Sequence, residues 1–325
     1  MPDARVQSAI AHWAPRFVSN GVPLTDFEEV TAGVERWEDW CRAWSARAAV
    51  HEELGRKALA DGYKLSAGEH LTRAAVCYHF SKFVFVIDYE QMKAAHRKAV
   101  ECRNLALPLI NPPGERVLIP YEGKHLAGIL RKPAGAARPP LVVMCMGLDS
   151  TKEEMDTNES VFLARGMATL TFDGPGQGEG EYDFAIRGDY EVAVKAVLDY
   201  VGSRGDLDAA RVGLWGVSLG GYYAPRSRIR QAHQGLHRAL GAVRMGGILR
   251  PVARAHPQHV PGPLQEPDRG GSARARRDAD LEERGEEHHL PAVHRRRQAG
   301  RHRALAGRRA AGRGGFRPGG ALLSG

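Results

Sequence analysis

The chain has 325 residues, 43% hydrophobic and 26% charged, which is enough for one large or two small domains with buried cores and too apolar for wholesale disorder. No apolar run reaches the length of a membrane span, the opening Met1-Pro2-Asp3-Ala4-Arg5 has no signal-peptide core, and Cys41, Cys77, Cys102 and Cys145 show no CxxC pairing; a cytoplasmic protein is expected, with no disulfide framework and no ready zinc site. The net charge of +8 is uneven: residues 1–226 hold 26 Lys+Arg against 30 Asp+Glu, whereas residues 227–325 hold 20 Arg, no Lys and 8 Asp+Glu.

Residues 25–104 carry helical signals. Thr25-Asp26-Phe27-Glu28 and Ser66-Ala67-Gly68-Glu69 each have the form of a capping box, in which the hydroxyl accepts from the third helical N–H and the Glu reaches back. Trp37, Trp40 and Trp44 recur at i, i+3 and i+7, one helix face. That stripe reads either as core packing or as the lining of a substrate cavity, and helical spacing does not separate the two. The second box opens a helix through Val76, Tyr78 and Phe83. A third helix is predicted from Asp88 to about Arg103. Pro108, Pro112 and Pro113 then mark a linker.

From Glu115 the period changes. Arg116 to Pro120 and His125 to Arg131 read as a hairpin around Glu122-Gly123. Pro140 to Met146 is a continuous apolar run bounded by turn signals, as in a strand buried on both faces. Val161 to Arg165 reads as a short helix and Ala168 to Asp173 as a second buried strand. Asp189 to Val201 is an amphipathic helix and Arg211 to Gly216 a third buried strand. Strands and helices alternate, so an α/β fold is predicted, with a mostly parallel sheet and helices on both faces. The predicted organisation is a helical module at 1–114, an α/β core at 115–226 and a distinct tail at 227–325.

Gly216-Val217-Ser218-Leu219-Gly220 is G-x-S-x-G at the end of the third strand. A strand leads in and a helical pattern leads out, the context a nucleophile elbow requires. There Ser218 occupies a strained turn that lifts its hydroxyl above the sheet. Gly216 and Gly220 are needed because side chains would collide across that turn. The N–H of Leu219 then points to where an oxyanion forms. The competing reading is a Gly-rich turn with an incidental serine. A second donor is expected from the loop Met146 to Glu153, where Gly147 allows close approach and the N–H of Leu148 is the candidate. Ser150 or Thr151 could cap a helix there as well. Asp149 and Glu153 are read as a solvated loop face rather than as paired catalytic acids. Asp173 to Gly180 has glycines spaced G-x-G-x-G-x-G with no G-K-[ST] after them, so it reads as a tight loop at the active-site edge and not as a phosphate loop.

Three strings in order, MGLDSTKEE, RGMATLTFDGPGQGEGEY and GLWGVSLGGYYAPR, resemble one branch of the α/β-hydrolase superfamily, typified by dihydroxypseudooxynicotine hydrolase and related esterase-like proteins. The resemblance spans roughly residues 20–226. It implies a helical cap or homodimerisation module ahead of the hydrolase core. It implies Ser218 as nucleophile, with the backbone of Leu219 and Leu148 as oxyanion donors. It implies hydrolysis of an ester or of a ketone C–C bond in a small organic substrate, with neither metal nor organic cofactor.

The triad order in this fold is Ser, acid, His. Neither acid nor His is identifiable. No buried-strand pattern follows Arg226, His288-His289 sits in a charged run, and His302 lies in Arg301-His302-Arg303. The six histidines before Ser218 (His12, His51, His70, His79, His96 and His125) fit the order worse. The tail is rich in Arg, Gly, Ala and Pro and has Phe316 as its one aromatic residue, the composition of a GC-rich gene read out of frame. Read one base later, residues 227–242 admit AAFDKRIKACIALSG and residues 286–304 admit KNITCPLFIVGGKLDGIVP. The second string restores an apolar strand ending in GGKLD, where an acid codon would straddle Gly300 and Arg301. The histidine is expected beyond the last residue. On this reading the tail has no native fold and the chain is a poor catalyst. The alternative class is a non-catalytic or nucleic-acid-binding protein using Arg269-Gly270-Gly271 and Arg313-Gly314-Gly315-Phe316, against which stands the lack of interleaved aromatics.

Overall fold

Five helices precede the first strand: α1 (Ala4–Ser19), α2 (Leu24–Ala32), α3 (Trp40–Ala60), α4 (Lys64–Lys82) and α5 (Tyr89–Ala106). The computed structural model describes residues 2–233 and 241–244. α1 lies ahead of the predicted helical region. Pro15 inside it interrupts the helical pattern, while Asp3 caps its start by accepting from Val6 N at 2.9 Å. The second carboxylate oxygen of Asp3 accepts from Trp37 N at 2.6 Å and so ties α1 to the turn before α3.

Neither predicted capping box forms. α2 starts one residue before Thr25 and α4 two residues before Ser66, and neither helix has a side-chain cap. The carbonyls of Pro23 and Tyr63 take the first intrahelical bonds, from Phe27 and Ala67, which places both hydroxyl residues inside the first turn. The third helix does carry its cap: Asp88 accepts from Gln91 N at 2.9 Å, and the helix runs three residues past Arg103.

The tryptophan stripe is core. Trp37, Trp40 and Trp44 are all buried with Phe17 and Phe80, whose rings stack at 3.8 Å, and Trp40 donates to the Phe80 carbonyl. Each such side chain contributes roughly 2–3 kcal/mol when fully buried.

The hairpin joins β1 (Gly114–Tyr121) to β2 (Lys124–Arg131) through Glu122 and Gly123, both at positive φ as a two-residue turn of the primed kind demands. β3 (Leu141–Cys145), α6 (Asp156–Leu163), β4 (Ala168–Phe172), α7 (Glu191–Ser203), β5 (Val212–Gly216), α8 (Gly220–His233) and β6 (Gly241–Arg244) follow. α6 begins five residues before the predicted Val161, because its first turn is charged and shows no apolar period. The sheet order is β1-β2-β4-β3-β5-β6, with β3, β4, β5 and β6 parallel and β2 antiparallel to both neighbours. Leu141, Val143 and Cys145 face the core that includes Val194 and Val197 of α7 and Tyr223 of α8. Val142 and Met144 face Phe162 of α6 and Trp215. Both faces are covered, so each central strand is a continuous apolar run.

The chain does not lose regular structure at Arg226. α8 continues to His233, with Ser227 buried and its hydroxyl donating to the Tyr223 carbonyl at 2.8 Å. β6 corrects the expectation that no strand follows. Its Gly-Ala-Val-Arg composition is a weak strand signal, and pairing with the central β5 supplies the partner that composition cannot show. The tail features at 245–325, including His288, His289, His302, the Gly300–Arg301 junction and the Arg-Gly-Gly pieces, lie outside the described residues. Among the described residues no helix is long and apolar enough to cross a membrane.

Candidate active site

Strand order fixes where a site can form. β3 is central, β4 lies on one side of it and β5 on the other. The connections leaving β3 and β5 therefore diverge, and a crevice opens at the carboxyl ends of these two strands. The loop from Met146 and the turn Val217-Ser218-Leu219 meet there.

Ser218 has φ of 54° and an exposed side chain. A non-glycine residue in this region costs about 1–3 kcal/mol and persists only where its surroundings hold it. Gly220 N donates to Val217 O at 2.9 Å and Gly221 N to Ser218 O at 3.0 Å, closing the turn into α8. A Cβ on Gly216 would land on the Gly220 carbonyl, and one on Gly220 on the Cys145 carbonyl, so the elbow admits no side chain at either position. Gly147 approaches from the other side: a Cβ there would sit 2.8 Å from Ser218 Cβ and 3.2 Å from Oγ. Among the described residues the N–H groups of Gly147, Leu148 and Leu219 donate to no other backbone group.

Beside Leu148 a cavity of about 210 Å³ is walled by Phe83, Val84, Val86 and Met92, with Lys82 and Glu181 at 3.5 Å from each other in its lining. Its apolar side comes from the α4–α5 connection. The helical layer therefore contributes directly to the space beside Leu148.

The loop after Leu148 is not a solvated face. Arg16 of α1 reaches Asp149 at 3.2 Å, Ser150 at 3.0 Å and Glu154 at 3.0 Å. His79 of α4 bonds Thr151 at 3.0 Å through Nδ1 and pairs with Glu154 through Nε2. Glu153 is buried, and the Lys152 ammonium lies 2.6 Å from it, 2.6 Å from Asp173 and 2.7 Å from Glu179. Asp173 also accepts from Lys152 N and Glu179 N, each at 2.9 Å. Thr151 precedes a short 3-10 turn, and no side chain caps it.

The electrostatics follow from one ammonium among three carboxylates. Burial, together with the neighbouring carboxylates, pushes the Asp173 carboxyl up to about 6 despite Lys152. For Glu153 burial acts in the same upward sense, but contact with Lys152 overcomes it and the carboxyl is lowered. Burial likewise opposes the charge on Glu154, and His79 and Arg16 outweigh it. His96, hydrogen-bonded to Tyr182 at 2.7 Å, is pushed well below its ordinary value by burial and by Lys82 and Lys152.

Two groups of side chains have metal-like donor sets among the described residues. His96, Glu153 and Asp173 converge, but the Lys152 ammonium already serves as the cation for the two carboxylates. In the set Asp26, His51 and Cys77, Asp26 is taken by His51 at 2.6 Å and Arg47 at 3.4 Å, and burial raises the Cys77 thiol far from thiolate range.

The structure thus brings Ser218, Gly216, Gly220, Leu219 and the Gly147–Leu148 segment together. Sequence reasoning missed Arg16, His79, Lys152 and Gln177. Lys152-Glu153-Glu154 directly after a buried strand was the available signal, but their partners Arg16, His79 and Asp173 are remote in the chain.

A sheet of this order with a strained serine between β5 and α8 defines an α/β-hydrolase. The model of the family described as esterase FrsA-like matches residues 25–249, and the chain belongs to that family. It is 37% identical over 228 residues to 2,6-dihydropseudooxynicotine hydrolase of Paenarthrobacter nicotinovorans, covering 68% of this chain and 59% of that protein. It is 35% identical over 217 residues to the hydrolase acrC of Aspergillus aculeatus, covering 58% of this chain and 50% of that one. The crystal structure of 2,6-dihydroxy-pseudo-oxynicotine hydrolase matches with a TM-score of 0.61 at 36% identity, over 66% of this chain and 60% of that chain. The chain spans less than two thirds of the length of these relatives.

Proposed function

We propose that this chain carries the nucleophile half of a serine hydrolase acting on an ester, or on a ketone C–C bond, of a small organic substrate. The observation that supports it most is Ser218 at positive φ, exposed, between two glycines that tolerate no side chain. In this reading the Ser218 hydroxyl attacks the carbonyl carbon, and the N–H groups of Leu219 and Leu148 receive the negative charge that develops on its oxygen. The leaving group then departs with a proton, and water releases the acyl group. The cavity beside Leu148 accepts the apolar part of the substrate.

The acid and base that would move the protons are sought in the tail, outside the described residues. Its 20 arginines, absent lysine and single aromatic residue support a disrupted reading frame in the coding sequence. The chain as given is then a slow catalyst, since loss of a triad member costs several orders of magnitude in rate. Resequencing around codon 226 and measuring p-nitrophenyl ester hydrolysis by the frame-corrected gene product test both parts. Turnover abolished by Ser218→Ala supports the reading. An uninterrupted frame with tail peptides found as given removes the frame argument, and turnover that survives Ser218→Ala removes the nucleophile.

A further inference from the structure

The loop Asp173 to Gly180 contains one side chain whose role the elbow does not explain. Gln177 is 2% exposed and all its hydrogen-bonding capacity is spent. Its Nε2 donates to the carbonyls of Met146 at 3.0 Å and Gly147 at 2.7 Å. Its Oε1 accepts from Gly174 N at 3.1 Å and from the Tyr190 hydroxyl at 2.7 Å. The partners fix the amide orientation, because a backbone N–H can only donate and two carbonyls can only accept. Tyr190 in turn stacks on Tyr223 of α8 at 3.9 Å, which holds the whole arrangement against the helix that follows Ser218.

We propose that Gln177 is the positioning residue of the oxyanion site. In a trans peptide the carbonyl and the following N–H point in opposite directions. By holding the carbonyls of Met146 and Gly147, Gln177 turns the N–H groups of Gly147 and Leu148 away from itself. Two successive N–H groups facing one way form a concave anion-binding nest. Gly147 abuts Ser218, so this nest borders the nucleophile. The site thereby gains a second donor from this loop beside Leu148, and both are set before any substrate arrives. Preorganised donors of this kind need no reorganisation as charge develops. The inference rests on Ser218 being the nucleophile.

Gln177→Glu is the discriminating change. It keeps size and both acceptor contacts but sets a carboxylate oxygen against two carbonyls. In the frame-corrected gene product, labelling of Ser218 by a fluorophosphonate, followed by intact mass, is expected to slow about 100-fold, the typical effect of losing an oxyanion donor. In p-nitrophenyl acetate hydrolysis the loss is expected in kcat, with KM unchanged. Gln177→Met, which removes the donors without adding charge, should fall between the variant and the unaltered chain. A crystal structure of Gln177→Glu gives an answer independent of turnover: the 146–148 peptides are expected to rotate. Wild-type labelling by Gln177→Glu, or unrotated peptides, overturns the proposal. Labelling that persists in Ser218→Ala, or that misses Ser218 in the frame-corrected gene product, instead overturns the nucleophile reading, and the crystal structure still decides what Gln177 does to the loop.

Discussion

Gly147 and Ser218 face each other across the crevice with no room for one more carbon, since a Cβ on Gly147 would lie 2.8 Å from the serine Cβ. Gly147→Ala should therefore push the hydroxyl off its position or displace the loop. In the frame-corrected gene product, ester turnover or fluorophosphonate labelling is expected to drop about 100-fold. Thermal unfolding should shift far less than for a core substitution, because the added methyl points into the crevice. Labelling at the unaltered rate would show that the loop yields at no cost.

Arg16 holds three acceptors of the loop from a helix more than a hundred residues away in sequence. Arg16→Met leaves Glu154, which is buried, without its guanidinium partner and with His79 and long hydrogen bonds from Asn20 and Ser150. Removing one partner of a buried pair costs about 3–5 kcal/mol, and partial exposure of Arg16 reduces this to about 2 kcal/mol. Urea denaturation measures it. An unchanged midpoint would mean that water replaces the guanidinium without loss.

Lys152→Met strands Glu153 and Asp173 beside an apolar group and leaves Glu179 with Arg116. A loss of about 3–5 kcal/mol is expected at neutral pH. The sign with pH follows from Asp173, whose carboxyl burial already holds near 6. A carboxyl with a folded value above its unfolded one stabilises the fold as pH falls through the folded value. Lys152 acts to lower both Asp173 and Glu153, so without it these carboxyls rise further and the variant gains more stability on acidification than the unaltered protein; its deficit should shrink on going from about pH 8 to about pH 5, and a deficit that stays constant would contradict this account.

His96 works in the opposite direction. It is buried and its folded value is well below the ordinary one, so below about pH 6.5 the unfolded chain takes a proton that the folded chain does not. Stability contributed by neutral His96 is lost as pH falls. In His96→Gln the fall in stability between about pH 6.5 and 5 should be shallower, by up to about 1.4 kcal/mol per pH unit. Parallel stability curves for the two proteins would rule His96 out as the group responsible.

Local pattern revealed the sheet and hid the glue. The runs at Pro140–Met146, Ala168–Asp173 and Arg211–Gly216 became β3, β4 and β5 within one or two residues, because strands covered on both faces need continuous apolar sequence. The elbow was equally legible, since Gly216, Ser218 and Gly220 act within five residues. The capping boxes failed where a neighbouring carbonyl started the helix first. β6 escaped notice because its stability comes from β5 and not from its own residues. The ion pairs of Lys152, Glu153 and Glu154 escaped notice because charged residues in a loop look solvated until distant partners arrive. Gln177 was one letter in a glycine loop, and its importance lies in two carbonyls thirty residues upstream.

The ion pairs that fasten α1 and α4 to the loop at 149–154 restrict how a molecule can reach Ser218. Swinging the helices off the sheet as a single door would pull Arg16 from Glu154 and His79 from Thr151, baring buried charges at each step. Such a motion is too costly to accompany every encounter. Val84 and Val86, by contrast, wall the cavity beside Leu148, are exposed and take no part in these ion pairs.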